Sequence, residues 1–128
     1  MPLLQFDCNF AVDADEKRAF ADAVTDLYAD RMATGTDHVA VVVREHDQSN
    51  LALGRVEDPG AGVVFLNADV RSGRTADQRR AFALAVMDEI ADRWGVPEPN
   101  MKVVFTEHAG PEMMGYDRVG DDWTPDEA

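Results

Sequence analysis

Three residues of this 128-residue chain have the types and placement to act together: Pro2, Arg71 and Arg74. Met1 before Pro2 is a substrate for methionine removal because the second residue is small, and removal leaves a secondary amine at the start of an apolar run. An ordinary α-amine titrates far below lysine, at about 7.7 to 8.0. Proline's amine starts higher, but desolvation and adjacent arginine charges both disfavour its cation. A neutral amine at neutral pH is a competent general base. Arg71 and Arg74 sit in the loop VRSGRTAD, between a strand and a helix. Guanidinium groups hold carboxylates bidentately, and the amino end of a capped helix adds partial positive charge. Taken alone, the loop reads first as a solvated segment pairing with Asp69 or Asp77. A Pro2 amine close by shifts the reading to a clamp for a small anionic substrate.

A repeat would bring Pro2 to the arginines. AFADAV…D…ADR, residues 19–31, returns 62 residues later as AFALAV…D…ADR, residues 81–93. The register holds from Leu4/Leu66 and Asp7/Asp69 through Val41/Val103, Val42/Val104, Glu45/Glu107 and His46/His108. An array needs at least about three copies to bury its faces. Two copies therefore predict one domain over residues 1–128 with internal pseudo-symmetry, the copies spanning about 2–46 and 64–108 and a tail about 117–128. The copies differ at Pro2, Arg71 and Arg74, whose counterparts are Val64, Asn9 and Val12. If the two opening strands pair antiparallel at the sheet centre, Pro2 lies near Val70 and Arg71.

Each copy reads strand, helix, strand. Residues 2–7 are short and apolar, and Asp13 stands three before Glu16 in a capping-box-like start. Ala19, Phe20, Ala23, Val24 and Leu27 recur at helical spacing to about Met32, and Gly35 is expected to end the helix. The β-branched run 39–43 predicts a fully buried strand. In the second copy residues 63–66 open a strand, Thr75 and Gln78 form a capping box, and Phe82, Val86, Ile90 and Trp94 make the apolar stripe. Gly95, Pro97 and Pro99 stop that helix before a closing strand at 101–105. A helix between two strands of one sheet makes them parallel, with a right-handed crossover. The fold class is α/β (α+β): two pseudo-symmetric β-α-β units in a four-stranded mixed sheet with two helices on one face. Those helices cover only that face, so an obligate oligomer is expected to cover the other.

Cys8 is the only cysteine, which excludes an intrachain disulfide. No apolar run approaches the roughly 20 residues of a membrane span, and residues 1–10 lack the basic start and apolar stretch of a signal peptide. A cytoplasmic protein with no membrane partner is expected. The net charge of -13 excludes nucleic acid, which needs clustered Lys and Arg.

These features together resemble the tautomerase superfamily, whose members begin Met-Pro, use the processed amino-terminal proline, and are built from two βαβ units assembled as trimers. The likeness is greatest to the cis-3-chloroacrylic acid dehalogenase group and covers nearly the whole chain. It rests on AVTDLY, TGTDH, the ALGR stretch, VVFLNADVRSGRTAD and VVFTEHAGPEMMGYDR, while MPLLQFD is similar to malonate semialdehyde decarboxylase. The resemblance implies a tautomerase/MIF-like fold, a homotrimer, a small carboxylate substrate and no cofactor or metal. It makes Pro2 the catalytic residue, and gives Arg71 and Arg74, at the family's R-x-x-R spacing, the substrate carboxylate. The dehalogenases have a His where this chain has Tyr28, a Tyr at Val104, and a Glu at Gly115. That Glu and Tyr prepare a water for attack. Glu112 and Asp117 are near enough in sequence to substitute, and Asp37 sits near the decarboxylase's acidic residue.

What the resemblance leaves intact is one base and a carboxylate clamp. The expected reaction is keto-enol proton transfer on a 2-keto acid or enol of the phenylenolpyruvate type, with Tyr28 contacting the substrate oxygen. Alternatives are a hydratase, decarboxylase or dehalogenase of a three-carbon unsaturated acid with cationic Pro2 as general acid, and a non-catalytic trimeric binding protein.

Other residues carry plainer expectations. Glu45-His46 and Glu107-His108 are one repeat position occurring twice and read as surface hydrogen-bonding pairs rather than metal ligands. His38 reads as a loop contact and Cys8 as packing. Met113, Met114 and Tyr116 suit the pocket or a subunit contact, and the acidic tail 121–128 is expected to be mobile with Trp123 docking on a neighbour. The acids are mostly Asp, with Lys17 and Lys102 the only lysines, a balance compatible with a high-salt cytoplasm and equally with an ordinary acidic protein. Unfolding measured across salt concentrations separates these two: adaptation to salt predicts loss of the fold in dilute buffer, and full stability there excludes it.

Overall fold

In the computed structural model, which describes residues 1–127, both helices start on the caps that the sequence supplies. The Asp13 carboxylate accepts from the Glu16 amide at 2.8 Å to open α1 (Ala14–Arg31). Thr75 and Gln78 cap one another's backbone, at 3.2 and 3.1 Å, to open α2 (Ala76–Trp94). Helix α2 ends on Gly95 at φ 67, in the left-handed region that glycine enters without strain. Gly35 does not end α1, contrary to expectation. The helix stops at Met32, whose amide bonds the Tyr28 carbonyl, and Ala33 takes the left-handed turn at φ 52.

The strands are β1 (Leu3–Cys8), β2 (Ala40–Glu45), β3 (Val64–Arg71) and β4 (Met101–His108). They form one mixed sheet in the order β2-β1-β3-β4. Strands β1 and β2 are parallel, β3 and β4 are parallel, and β1 meets β3 antiparallel at the centre with Leu3 opposite Asp69. Strand β3 runs further than the sequence suggested, so Arg71 is its last residue rather than a loop residue. The helical face of the sheet presents Leu4, Phe6, Cys8, Leu66, Ala68 and Val70, all buried against Phe20, Val24, Tyr28, Phe82, Val86 and Ile90. Phe6 meets Phe20 edge-on at 4.9 Å, and Tyr28 meets Phe82 at 5.1 Å.

The run 39–43 is not fully buried. Strand β2 lies at the sheet edge, so Val41 and Val43 pack towards the core while Ala40 is exposed. The opposite sheet face, bare of helices, exposes Leu3 and Val104 to 37% and 43%. On that side Asp7 accepts from Arg44 at 2.9 and 3.1 Å and pairs with His46 at 2.7 Å. Its repeat counterpart Asp69 pairs with His108 at 2.8 Å. Among the described residues no group of three or more His, Cys, Asp or Glu could hold a metal ion, and no helix is long and apolar enough to cross a membrane.

After β4 the chain forms a small hairpin, β5 (Met114–Gly115) with β6 (Arg118–Val119), then folds back over the end of β3. Trp123 is 7% exposed; its amide bonds Ser72 O at 2.8 Å and its indole bonds Ala33 O at 2.9 Å. The tail through residue 127 is therefore docked on its own chain, and Trp123 is not left free for a neighbour; Ala128 lies outside the described residues. Close backbone approach makes this possible. A Cβ at Gly73 would stand 2.1 Å from Trp123 O, and one at Gly110 would stand 1.9 Å from the Asp121 carbonyl carbon.

Phe6 is fully buried at the centre of the sheet, so Phe6→Ala should cost about 3 to 5 kcal/mol in denaturant unfolding at fixed protein concentration.

Candidate active site

The antiparallel pairing of β1 and β3 decides what Pro2 meets. Leu3 stands opposite Asp69, so Pro2, one step earlier, comes beside Val70 and Arg71. Pro2 is buried, and its carbonyl accepts from the Ala40 amide at 3.1 Å, fixing the strand's first residue to β2. Pro2 and Arg71 line one cavity of about 330 Å³ with Thr34, Asp37 and His38 from the α1–β2 loop, Arg118 from β6, and Glu127. A shallower depression of about 490 Å³ adjoins it through Pro2 and His38 and reaches Asp69, His108, Glu112 and Met113. Asp37 and Glu112 thus border Pro2 in different depressions. Tyr116 is wholly exposed and Asp117 is exposed, and neither lines these two cavities. Their candidacy ends there for this chain taken singly, because the hairpin turn carries both side chains outward.

Both arginines are buried, at 5% and 6% exposure. Arg71 donates from Nη1 to Asp121 O at 2.8 Å and from Nη2 to the Glu127 carboxylate at 2.5 Å. Arg74 lies deeper. Its Nε donates to Met32 O at 2.7 Å, and its guanidinium sits between the rings of Tyr28 and Trp123, 5.5 and 5.3 Å from their centres. Arg71 Nε and both Arg74 Nη atoms are buried with no partner. A buried donor left unpaired costs about 1 to 3 kcal/mol, and more when charged. Three such donors on two buried arginines leave positive charge that an anion could complete.

Tyr28 holds this arrangement up rather than lining it. It is 1% exposed, and burial, opposed by the Arg74 and Arg71 charges, pushes its phenol up to about 12. The expected contact with a substrate oxygen gives way to a stack beneath Arg74, because the helical position of Tyr28 points it into the core.

Burial and the arginine charges favour a neutral amine at the start of the chain. The α-amine, carried here by Met1, is lowered from 8.0 to about 5 by burial first, then by Arg71 and Arg74. Burial pulls the Glu127 carboxyl up, yet hydrogen bonds from Arg71 and Thr34 and the arginine charges outweigh it, leaving it below its ordinary range. Where the dehalogenase pattern has Glu, Gly115 lets the His38 ring approach: a Cβ there would be 3.3 Å from His38 Cε1. Val104 lies on the open sheet face.

Thr34, His38 as a cavity residue, Arg118 and Glu127 escaped the sequence reading. No spacing links them, since they come from a loop, a hairpin and the tail; the available signals were the TGTDH run, which holds Thr34 and His38, and the basic Arg118 that ends GYDR in so acidic a chain.

The family model described as Tautomerase enzyme matches residues 2–56. Among solved structures, the chain is similar to N1, a member of the cis-3-chloroacrylic acid dehalogenase family, at 26% identity and TM-score 0.83, covering 94% of this chain and 84% of that one. FG41 malonate semialdehyde decarboxylase, inhibited by 3-bromopropiolate, aligns at 24% identity and TM-score 0.75 over 91% of each chain. A fused 4-OT symmetric trimer aligns at 19% identity and TM-score 0.79, covering 92% of this chain and 94% of that one. The last two identities show the fold alone. No curated protein matches the chain in sequence.

In protein retaining Met1, NMR titration should place the α-amine midpoint near 5, and Arg71→Ala should move it up towards 8.0. The sign follows from the repulsion removed: without Arg71 the cation is easier to form, so protonation begins at higher pH. A wild-type midpoint already near 8.0 contradicts the reading.

Proposed function

We propose that this chain is a member of the tautomerase superfamily, as the family-model match over residues 2–56 and the likeness to the dehalogenase-family structure support, and that it catalyses keto-enol proton transfer on a small 2-keto acid or its enol, with Met1 removed and Pro2 as the base. The neutral Pro2 nitrogen accepts a proton from C3 of the keto acid. The C3–H electron pair becomes the C2=C3 bond, and the carbonyl oxygen takes the charge and then a proton; ketonisation runs the same steps backwards. Arg71 and Arg74 hold the carboxylate and stabilise the enolate charge. The steps use a base and fixed cations and call for no cofactor. The observation that carries this reading is a single cavity containing Pro2 and Arg71, backed by unpartnered guanidinium donors of both arginines.

A homotrimer belongs to the same proposal. It is supported by the apolar side chains on the helix-free sheet face and by the likeness to fused 4-OT trimers. Hydration, decarboxylation or dehalogenation of a three-carbon acid is the second reading, favoured by the likeness to the dehalogenase member. It requires a cationic Pro2 as general acid and a carboxylate such as Asp37 or Glu112 directing water. The depression of the neighbouring Met1 amine, by burial first and then by Arg71 and Arg74, supports the base instead.

Intact mass should show Met1 absent, and light scattering at micromolar concentration should show a trimer. Ketonisation of phenylenolpyruvate should fall about 100-fold or more in Pro2→Ala, and Arg71→Ala should raise KM. Faster turnover of 3-haloacrylates than of phenylenolpyruvate would favour the second reading. Activity unchanged in Pro2→Ala would leave a binding protein.

A further inference from the structure

The cavity beside Pro2 already contains a carboxylate, and it is the chain's own. Glu127 places one oxygen 2.5 Å from Arg71 Nη2, and the Thr34 hydroxyl donates to that same oxygen. A guanidinium and a hydroxyl converging on one carboxylate oxygen is the environment that a substrate carboxylate needs. We propose that residues 121–127 form a built-in strap that competes with the substrate, Glu127 holding on Arg71 the place of the substrate's carboxylate, so that an anionic ligand binds by displacing it. The inference rests on the reading of Arg71 and Arg74 as a carboxylate clamp.

Two sets of observations support a strap that is built yet displaceable. The docking is specific: Trp123 is tied by its amide to Ser72 O and by its indole to Ala33 O, and Arg71 Nη1 bonds Asp121 O. Glycine at 73 and 110 provides the only side chain small enough for the backbone to pass so close, since Cβ atoms there would fall about 2 Å from the strap's main chain. The charge match, by contrast, is incomplete. Glu127 engages a single guanidinium nitrogen, while Arg71 Nε and both Nη atoms of Arg74 stay buried and unpaired under the strap and its Trp123 ring. A free carboxylate that reaches those donors gains bonds that Glu127 does not make. The strap thereby acts on specificity: it sets a threshold that a ligand passes only by satisfying both arginines.

Pyruvate is the probe for the test, with affinity read by calorimetry on the full chain as wild type, Glu127→Gln, Glu127→Ala and Arg71→Ala. Strap movement is read from Trp123 emission in a Trp94→Phe background, which leaves it the only tryptophan. Circular dichroism confirms the fold of each variant. If Glu127 holds the clamp about nine-tenths of the time, both Glu127 variants should bind pyruvate about tenfold tighter than wild type. Saturating pyruvate should also shift the Trp123 emission. Equal affinity in wild type and both Glu127 variants, with binding lost in Arg71→Ala, overturns the strap and leaves the clamp standing. Unchanged Trp123 emission at saturation overturns it likewise. Absence of pyruvate binding in wild type and both Glu127 variants overturns clamp and strap together.

Discussion

The antiparallel pairing of β1 with β3 is the constraint from which the rest follows. It turns the two βαβ halves head to tail, so that the first residue of one central strand lies beside the last residue of the other. A parallel pairing would put the chain's first residues at the far end of the sheet from Arg71. With Leu3 opposite Asp69, Pro2 and Arg71 come to line one cavity, to which Arg118 and Glu127 add their charges from the hairpin and the tail.

The same pairing concentrates positive charge in a chain that carries a net charge of -13. Burial works against the Arg74 cation, and Arg74 remains there stacked between Tyr28 and Trp123 with its Nε on the carbonyl that ends α1. Such a site depresses a nearby amine and attracts carboxylates in one stroke. Glu127 answers that attraction from within the chain, which is why the acidic tail is ordered through residue 127 where a solvated segment was expected.

The repeat is informative where it is broken. Asp7 with His46 and Asp69 with His108 keep matching hydrogen bonds on the two halves, a shared structural feature. Asn9, the counterpart of Arg71, accepts from the Val63 amide and donates to the carbonyls of Gln48 and Pro59, pinning the long connection between the halves. One strand end thus serves the connection and the other carries the cation, so the pseudo-symmetric position of Arg71 holds a neutral side chain.

Local patterning determined the elements: the Asp13 and Thr75 caps, the 3.6-residue stripes around Phe20 and Phe82, and Gly95 as a stop could all be read in order along the chain. The internal repeat then indicated how the halves pair, and with it the nearness of Pro2 and Arg71. Tertiary structure decided what depends on contacts without periodicity. It set Tyr28 beneath Arg74 instead of in the cavity, carried Tyr116 and Asp117 outward, left β2 at an edge, and brought Thr34, Arg118 and Glu127 to the arginines. Helical and strand periods are written into neighbouring residues, whereas the path of a tail across two glycines depends on surfaces that exist only once the sheet has formed.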